Sequence, residues 1–216
     1  IEADFKRPCT VDIKLGRELR HPSVDEAKKK RGRKKWKYMA TTATAVCGMK
    51  VFRPHEGRQE LGDGGEYGKE TGVYARWQKG YGRSLKGDGM LHALLAFLHN
   101  GYEVRTDVIR GLEKDLRVVR RWLTEETSYE CYSMSVLLCY DGDICGNSDA
   151  AAISAAAAAG TDSKNREKPA TRAVLVDFAH AFELEGTRAA SAQIQDCVAG
   201  VDHILESLNS IHDMFV

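Results

Sequence analysis

The chain has 216 residues and a mass of 24.0 kDa, enough for one large domain or two small ones around a sizeable core. It is 43% hydrophobic and 29% charged with a formal net charge of +1, and no stretch is apolar enough to span a bilayer; the longest candidate, AAISAAAAAG, lacks large side chains. The six cysteines form no CxxC pair and the seven histidines no HExxH pattern, which disfavours structural zinc and points to buried free thiols in a reducing compartment.

No signal peptide is visible, and the opening on Ile1, inside what reads as folded sequence, is that of a domain cut from something longer. The first element is PCTVDIKLG (8–16), where Val11, Ile13 and Leu15 alternate with Thr10, Asp12 and Lys14. On a strand this pattern puts the apolar trio in a core and an acid and a base side by side on the other face. A helix is expected from Ser23, since Ser23 followed by Glu26 is a capping-box spacing, with Gly32 weakening its middle by roughly 1 kcal/mol relative to alanine. AVCGMKVF (45–52) reads as a strand and the Gly-rich, charged segment 54–72 as a loop.

Two helices follow. The first carries Leu91, Leu94, Leu95 and Leu98, with Asp88 as cap and Gly101 as stop; the second carries Ile109, Leu112, Leu116, Val119 and Leu123. The short connection between them predicts that they pack on each other. Strands are expected at 130–142 and 172–180, separated by a low-complexity insertion at 146–171 that reads as a disordered loop between paired strands. A last helix buries Ile194, Val198, Val201, Leu205 and Leu208, and the fold class is mixed α+β.

Three constellations carry chemistry. Asp12 with Lys14, taken alone, reads as a half-exposed strand with a cross-face ion pair worth about 0–1 kcal/mol. In AKKKRGRKKWK, helical spacing puts Lys28, Arg31 and Lys35 on one face, where like charges repel unless an anion neutralises them. That run also fits a solvated face, a nuclear-import signal or a nucleic-acid patch, although its single aromatic, Trp36, and the lack of a reader motif make nucleic acid a poor fit. VLVDFAH runs an apolar strand into Asp177, which is either a buried, capped acid or an acid at a strand end of the kind that holds magnesium in kinases. In combination, an acid-plus-lysine strand, a polycationic helix and a metal-type acid describe a site that moves phosphate onto an anionic substrate.

These segments resemble the inositol polyphosphate kinase family. PCTVDIKLG matches its PxxxDxKxG signature through Pro8, Asp12, Lys14 and Gly16; YSMSVLLCYDG is similar to its SSLL strand and VDFAH to its DFAH segment. KGYGRSL, AFLHNG, TATAVCGMKVF and GVDHILESL are similar to the inositol hexakisphosphate kinase branch. The resemblance implies a two-lobed, protein-kinase-like fold of which this chain holds mostly the C-terminal lobe, as one N-terminally truncated domain over 1–216, with the N-lobe largely before Ile1. It implies ATP and Mg2+ as cofactors and inositol hexakisphosphate, trisphosphate or a multikinase's substrates as acceptors, or an inert protein that only binds inositol phosphates.

Residue by residue, the resemblance implies that Asp12 binds the ATP ribose and that Lys14 lies between substrate and γ-phosphate. Lys28, Arg31 and Lys35 would receive the inositol phosphates, with His180 nearby. Asp177 and Ser135 would meet the metal, and Ile1, Glu2 and Ala3 would touch the adenine hinge. Met134 stands at the first serine of SSLL, so any contact of that serine is lost, and Ala181 replaces a threonine that often follows DFAH. A location in cytoplasm or nucleus follows from the same resemblance.

Overall fold

The computed structural model describes residues 5–53, 66–67, 74–101, 103–142 and 170–216. Strand β1 (Pro8–Leu15) lies in the middle of a six-stranded antiparallel sheet, between β2 (Thr44–Phe52) and β6 (Ser135–Asp141). β4 (Tyr74–Trp77) and β3 (Glu66–Tyr67) continue the sheet beyond β2, and β7 (Thr171–Val176) closes the edge beyond β6. Glu66–Tyr67 thus forms a strand inside the segment read as a loop; the rest of 54–72 lies outside the described residues.

The alternation in β1 is obeyed. Cys9, Val11, Ile13 and Leu15 are at most 1% exposed and join the main core, whereas Asp12 and Lys14 point to the opposite face. That core is completed by three helices: α4 (Gly89–Leu98), α5 (Ile109–Arg121) and a long C-terminal α6 (Ala192–Phe215). Every residue of the predicted α5 stripe, from Ile109 to Leu123, is buried. The expected α4–α5 pairing is corrected: α4 packs chiefly against α6, and α5 against β7 and α6. Asp88 occupies the α4 cap position without a capping hydrogen bond, and the helix ends at Leu98, before Gly101.

Beyond a single turn, α2 (Met39–Thr42), short α3 (Lys79–Ser84) rests on β2, and at Gly82 an added Cβ would meet the Val46 carbonyl oxygen at 1.8 Å. The segment read as one strand over 130–142 is two, β5 (Tyr129–Cys131) and β6, broken at Ser133, whose φ is +60°. β5 pairs instead with β8 (Ala181–Glu183) in a separate two-stranded sheet. Of the insertion at 146–171, only Ala170 and Thr171 fall among the described residues; β6 and β7 on either side pair as expected. Five thiols, Cys9, Cys47, Cys131, Cys139 and Cys197, are free and buried; Cys145 lies outside the described residues. No described helix is long and apolar enough to cross a membrane.

Candidate active site

The polar face of β1 is not merely wet. Lys14 pairs with Ser135 across β1 and β6, and Ser135 pairs with Val176 across β6 and β7, so the residue after Val176, Asp177, comes level with Lys14 at one end of the sheet. The Lys14 ammonium donates to the Asp177 carboxylate at 3.2 Å, to the Ser135 hydroxyl at 3.2 Å and to the Ser133 carbonyl at 2.7 Å. Its side chain is 17% exposed, and that of Asp177 is 59% exposed. Two members of this cluster, Ser133 and Asp177, are non-glycine residues in the left-handed region, with φ of +60° and +68°. Such backbone costs about 1–3 kcal/mol per residue and concentrates where a site demands it. The Ser133 hydroxyl donates to the Leu19 carbonyl at 2.9 Å, which secures the bend.

Asp12 lies two residues back along β1, and its Oδ1 is buried with no hydrogen-bond partner among the described residues. A buried carboxylate oxygen left unpaired is costly, so it marks a place for a donor that a ligand brings. The charges of Asp12, Lys14, Lys79 and Asp177 all reach the thiol of Cys47, which burial pushes up to about 11. Lys79, at the start of α3, is therefore part of the site's electrostatic surroundings.

The basic helix α1 (Glu26–Lys35) borders this face and has no buried residue of its own. Its cap is Asp25, which accepts from the Ala27 and Lys28 amides, and not Ser23. The Ser23 hydroxyl is engaged with His21 at 2.7 Å, and Glu26 pairs with Lys29 and Arg33 instead of reaching back. Those two cations lower the Glu26 pKa from its ordinary value, Lys29 contributing most. Arg33 also meets Glu18, and Lys29 donates to the Pro22 carbonyl. Lys28, Lys30, Arg31, Lys34 and Lys35 have no acidic partner among the described residues. The helix ends at Trp36, which packs with Met39, Ala45, Cys47 and Leu19 into a second, small core, with the Arg83 guanidinium 5.3 Å over its ring.

The structure thus joins Lys14, Ser135 and Asp177 in direct contact. Lys28, Arg31 and Lys35 are exposed on α1 and share no hydrogen bond or ion pair with that cluster among the described residues. His180 is exposed at the end of the single turn Phe178–His180 that follows Asp177, and its carbonyl accepts from the Tyr132 amide. Ile1, Glu2 and Ala3 lie outside the described residues. Ser135 is fully buried with its hydroxyl on the Lys14 ammonium. One expectation changes. Met134 is fully buried in the main core and only its carbonyl is used, by the Leu15 amide, so a serine there would not face the site and its absence removes no contact.

Among the described residues Asp177 uses only one carboxylate oxygen, toward Lys14, and its side chain is well exposed, which suits a divalent cation that takes one or two carboxylates and leaves its other positions to phosphate and water. Among the described residues no three His, Cys, Asp or Glu side chains cluster as an all-protein metal cage. Ser133 and Lys79 were missed by sequence reasoning. A single bent residue between two strands leaves no periodic signal, and one lysine at a helix start looks like any surface cation. A cavity of about 950 Å3 lies beside α4 around Leu85, His92, Leu95 and Phe215, and shares no residue with this cluster.

A family model described as inositol polyphosphate kinase matches residues 1–215. Inositol hexakisphosphate kinase 1 of Homo sapiens is 34% identical over 143 residues, 65% of this chain and 29% of that protein. The human inositol polyphosphate multikinase is 25% identical over 138 residues, 64% of this chain and 31% of its own. The chain therefore spans about three tenths of the length of these curated relatives. In fold it is similar to an inositol phosphate multikinase from S. cerevisiae, solved with ADP and Mn2+, at a TM-score of 0.72 and 20% identity over 98% of this chain and 81% of that one.

Proposed function

The chain belongs to the inositol polyphosphate kinase family, and from that premise we propose that it carries the phosphoryl-transfer centre of an ATP-dependent kinase acting on inositol hexakisphosphate, giving a diphosphoinositol phosphate. The observation that carries the reading is the Lys14 ammonium held between Ser133, Ser135 and Asp177, two residues from the unpaired Asp12 carboxylate oxygen.

In this reading Asp12 accepts from the nucleotide's ribose hydroxyls, and Lys14 offsets charge that develops on the transferring group. Asp177 would hold magnesium, which supplies charge neutralisation on the phosphates when bound. A phosphate acceptor is already ionised, so no general base is required and positioning supplies most of the rate. The unpaired cations Lys28, Arg31 and Lys35 draw the inositol phosphates, with His180 beside Asp177. The greater identity to hexakisphosphate kinases than to multikinases, 34% against 25%, supports that branch. The multikinase relatives keep a trisphosphate or multikinase activity as the second reading.

The test is product analysis of the purified full-length protein with ATP, Mg2+ and either inositol hexakisphosphate or inositol trisphosphate. Turnover of the hexakisphosphate supports the proposal. Turnover of the trisphosphate alone overturns the branch, and binding without turnover of either overturns the kinase reading in favour of an inert binding protein.

A further inference from the structure

A helix with no buried residue gains no core packing of its own; apart from Arg33 on Glu18 and Lys29 on the Pro22 carbonyl, the position of α1 is set at its two ends. The C-terminal end is fixed by Trp36 in the small core under it. At the N-terminal end the segment from Gly16 to Asp25 is held at its start by the Arg17–Asp196 pair, the Ser133 hydroxyl on the Leu19 carbonyl and the packing of Leu19 in the small core, and nearest the helix cap by an aromatic contact at His21. The His21 ring stacks on Phe182 with centroids 3.9 Å apart and planes 20° from parallel, and meets the edge of Tyr132 at 5.4 Å. Tyr132 and Phe182 in turn pack edge to face at 5.9 Å.

The imidazole is itself oriented: its Nδ1 accepts from the Ser23 amide at 3.2 Å, and the Val24 amide closes the turn on the His21 carbonyl at 3.0 Å. Both partners of His21 are wired to the reaction centre. Phe182 lies five residues past Asp177 on β8, and Tyr132 precedes Ser133, whose carbonyl holds Lys14. The Tyr132 hydroxyl donates to Glu130, which accepts from Ser191, the cap of α6, so this side of the contact is anchored to the core.

Resting on the kinase reading above, we propose that His21 is a positioning residue: its stack on Phe182 and Tyr132 sets the distance between the cations of α1 and the Lys14–Asp177 centre, and so governs affinity for the inositol phosphate and not the chemical step. An aromatic pair of this kind is worth enough to change affinity by roughly tenfold. His21→Ala in the full-length protein is expected to raise KM for inositol hexakisphosphate roughly tenfold with kcat and KM for ATP unchanged. Amide hydrogen exchange should quicken over residues 17–35 and not elsewhere. His21→Phe, which keeps the stack and loses the imidazole nitrogens, is expected to restore both. Unchanged exchange over 17–35 in His21→Ala overturns the proposal, as does faster exchange with an unchanged KM, or failure of His21→Phe to rescue. If the unsubstituted protein turns over no inositol phosphate, the kinase reading falls by itself, and the exchange measurement still decides whether His21 holds the helix.

Discussion

Lys14 is held by three oxygens from two segments that meet only in the folded chain, two from Ser133 and Ser135 at the start of β6 and one from Asp177 past the end of β7. It points away from the main core, so Lys14→Ala should lower kcat by about a hundredfold or more while leaving the thermal midpoint within a few degrees. Near-normal turnover in that variant would refute its role. Asp177 permits a sharper comparison. Asparagine tolerates left-handed backbone and alanine does not, by about 1 kcal/mol. Asp177→Asn and Asp177→Ala should both abolish transfer, and only the alanine variant should melt earlier. Equal melting temperatures would show that the +68° φ is relaxed in solution. At this scale the sequence showed Asp12, Lys14 and Asp177 by residue type and motif. Ser133 was hidden, since its contribution is a backbone carbonyl presented by an unusual φ, and no side-chain pattern announces that.

The elements divide into those that make the core and those that ride on it. α5 belongs to the first kind: Ile109, Leu112, Leu116, Val119 and Leu123 recur at helical spacing and all are buried, so the periodicity read from the sequence was enough to place it. Leu116→Ala should cost about 2–5 kcal/mol in urea unfolding, against near zero for exposed Lys114→Ala. Gly82→Ala should also destabilise, by about 1–3 kcal/mol or more, because the new Cβ meets the Val46 carbonyl oxygen and α3 must lift off β2. α1 is the second kind, and its start was misread because two oxygens competed for one cap: Asp25 took the amides and Ser23 turned back to His21. Replacing Lys28, Arg31 and Lys35 together by alanine should leave the unfolding free energy unchanged or slightly higher, through relieved repulsion, while raising KM for the inositol phosphate. A loss of stability there would contradict the absence of buried residues in the helix.

Over the whole molecule, one sheet serves two purposes. One face, packed by α4, α5 and α6, supplies the stability, and the other carries the charges. Alternation in β1 made both faces legible, and the pairing of β6 with β7 was expected, whereas the place of β1 beside β6 did not follow from sequence, since those two meet through pairings between residues more than a hundred positions apart. One global consequence is a specific pH dependence. Burial holds the His203 imidazole below its ordinary pKa of 6.5, so the unfolded chain binds this proton more readily than the folded one. Its contribution to stability is complete above pH 6.5 and fades as pH falls below that value. His203→Gln should therefore lose less stability than the unsubstituted protein between pH 7.5 and pH 5 in urea titrations; identical losses would dismiss the effect.

The bare underside of α1 has a consequence for how such a protein can change. Cations outside any core can be exchanged without disturbing the fold, so in the proposed reading the choice of acceptor can be rewritten along one helix, a few at a time. Lys14, Ser135 and Asp177 have no such freedom, because each is tied to a strand register that the whole sheet shares. In the proposed reading, the scaffold separates a conservative part, which handles the transferred group, from an editable part, which chooses what receives it.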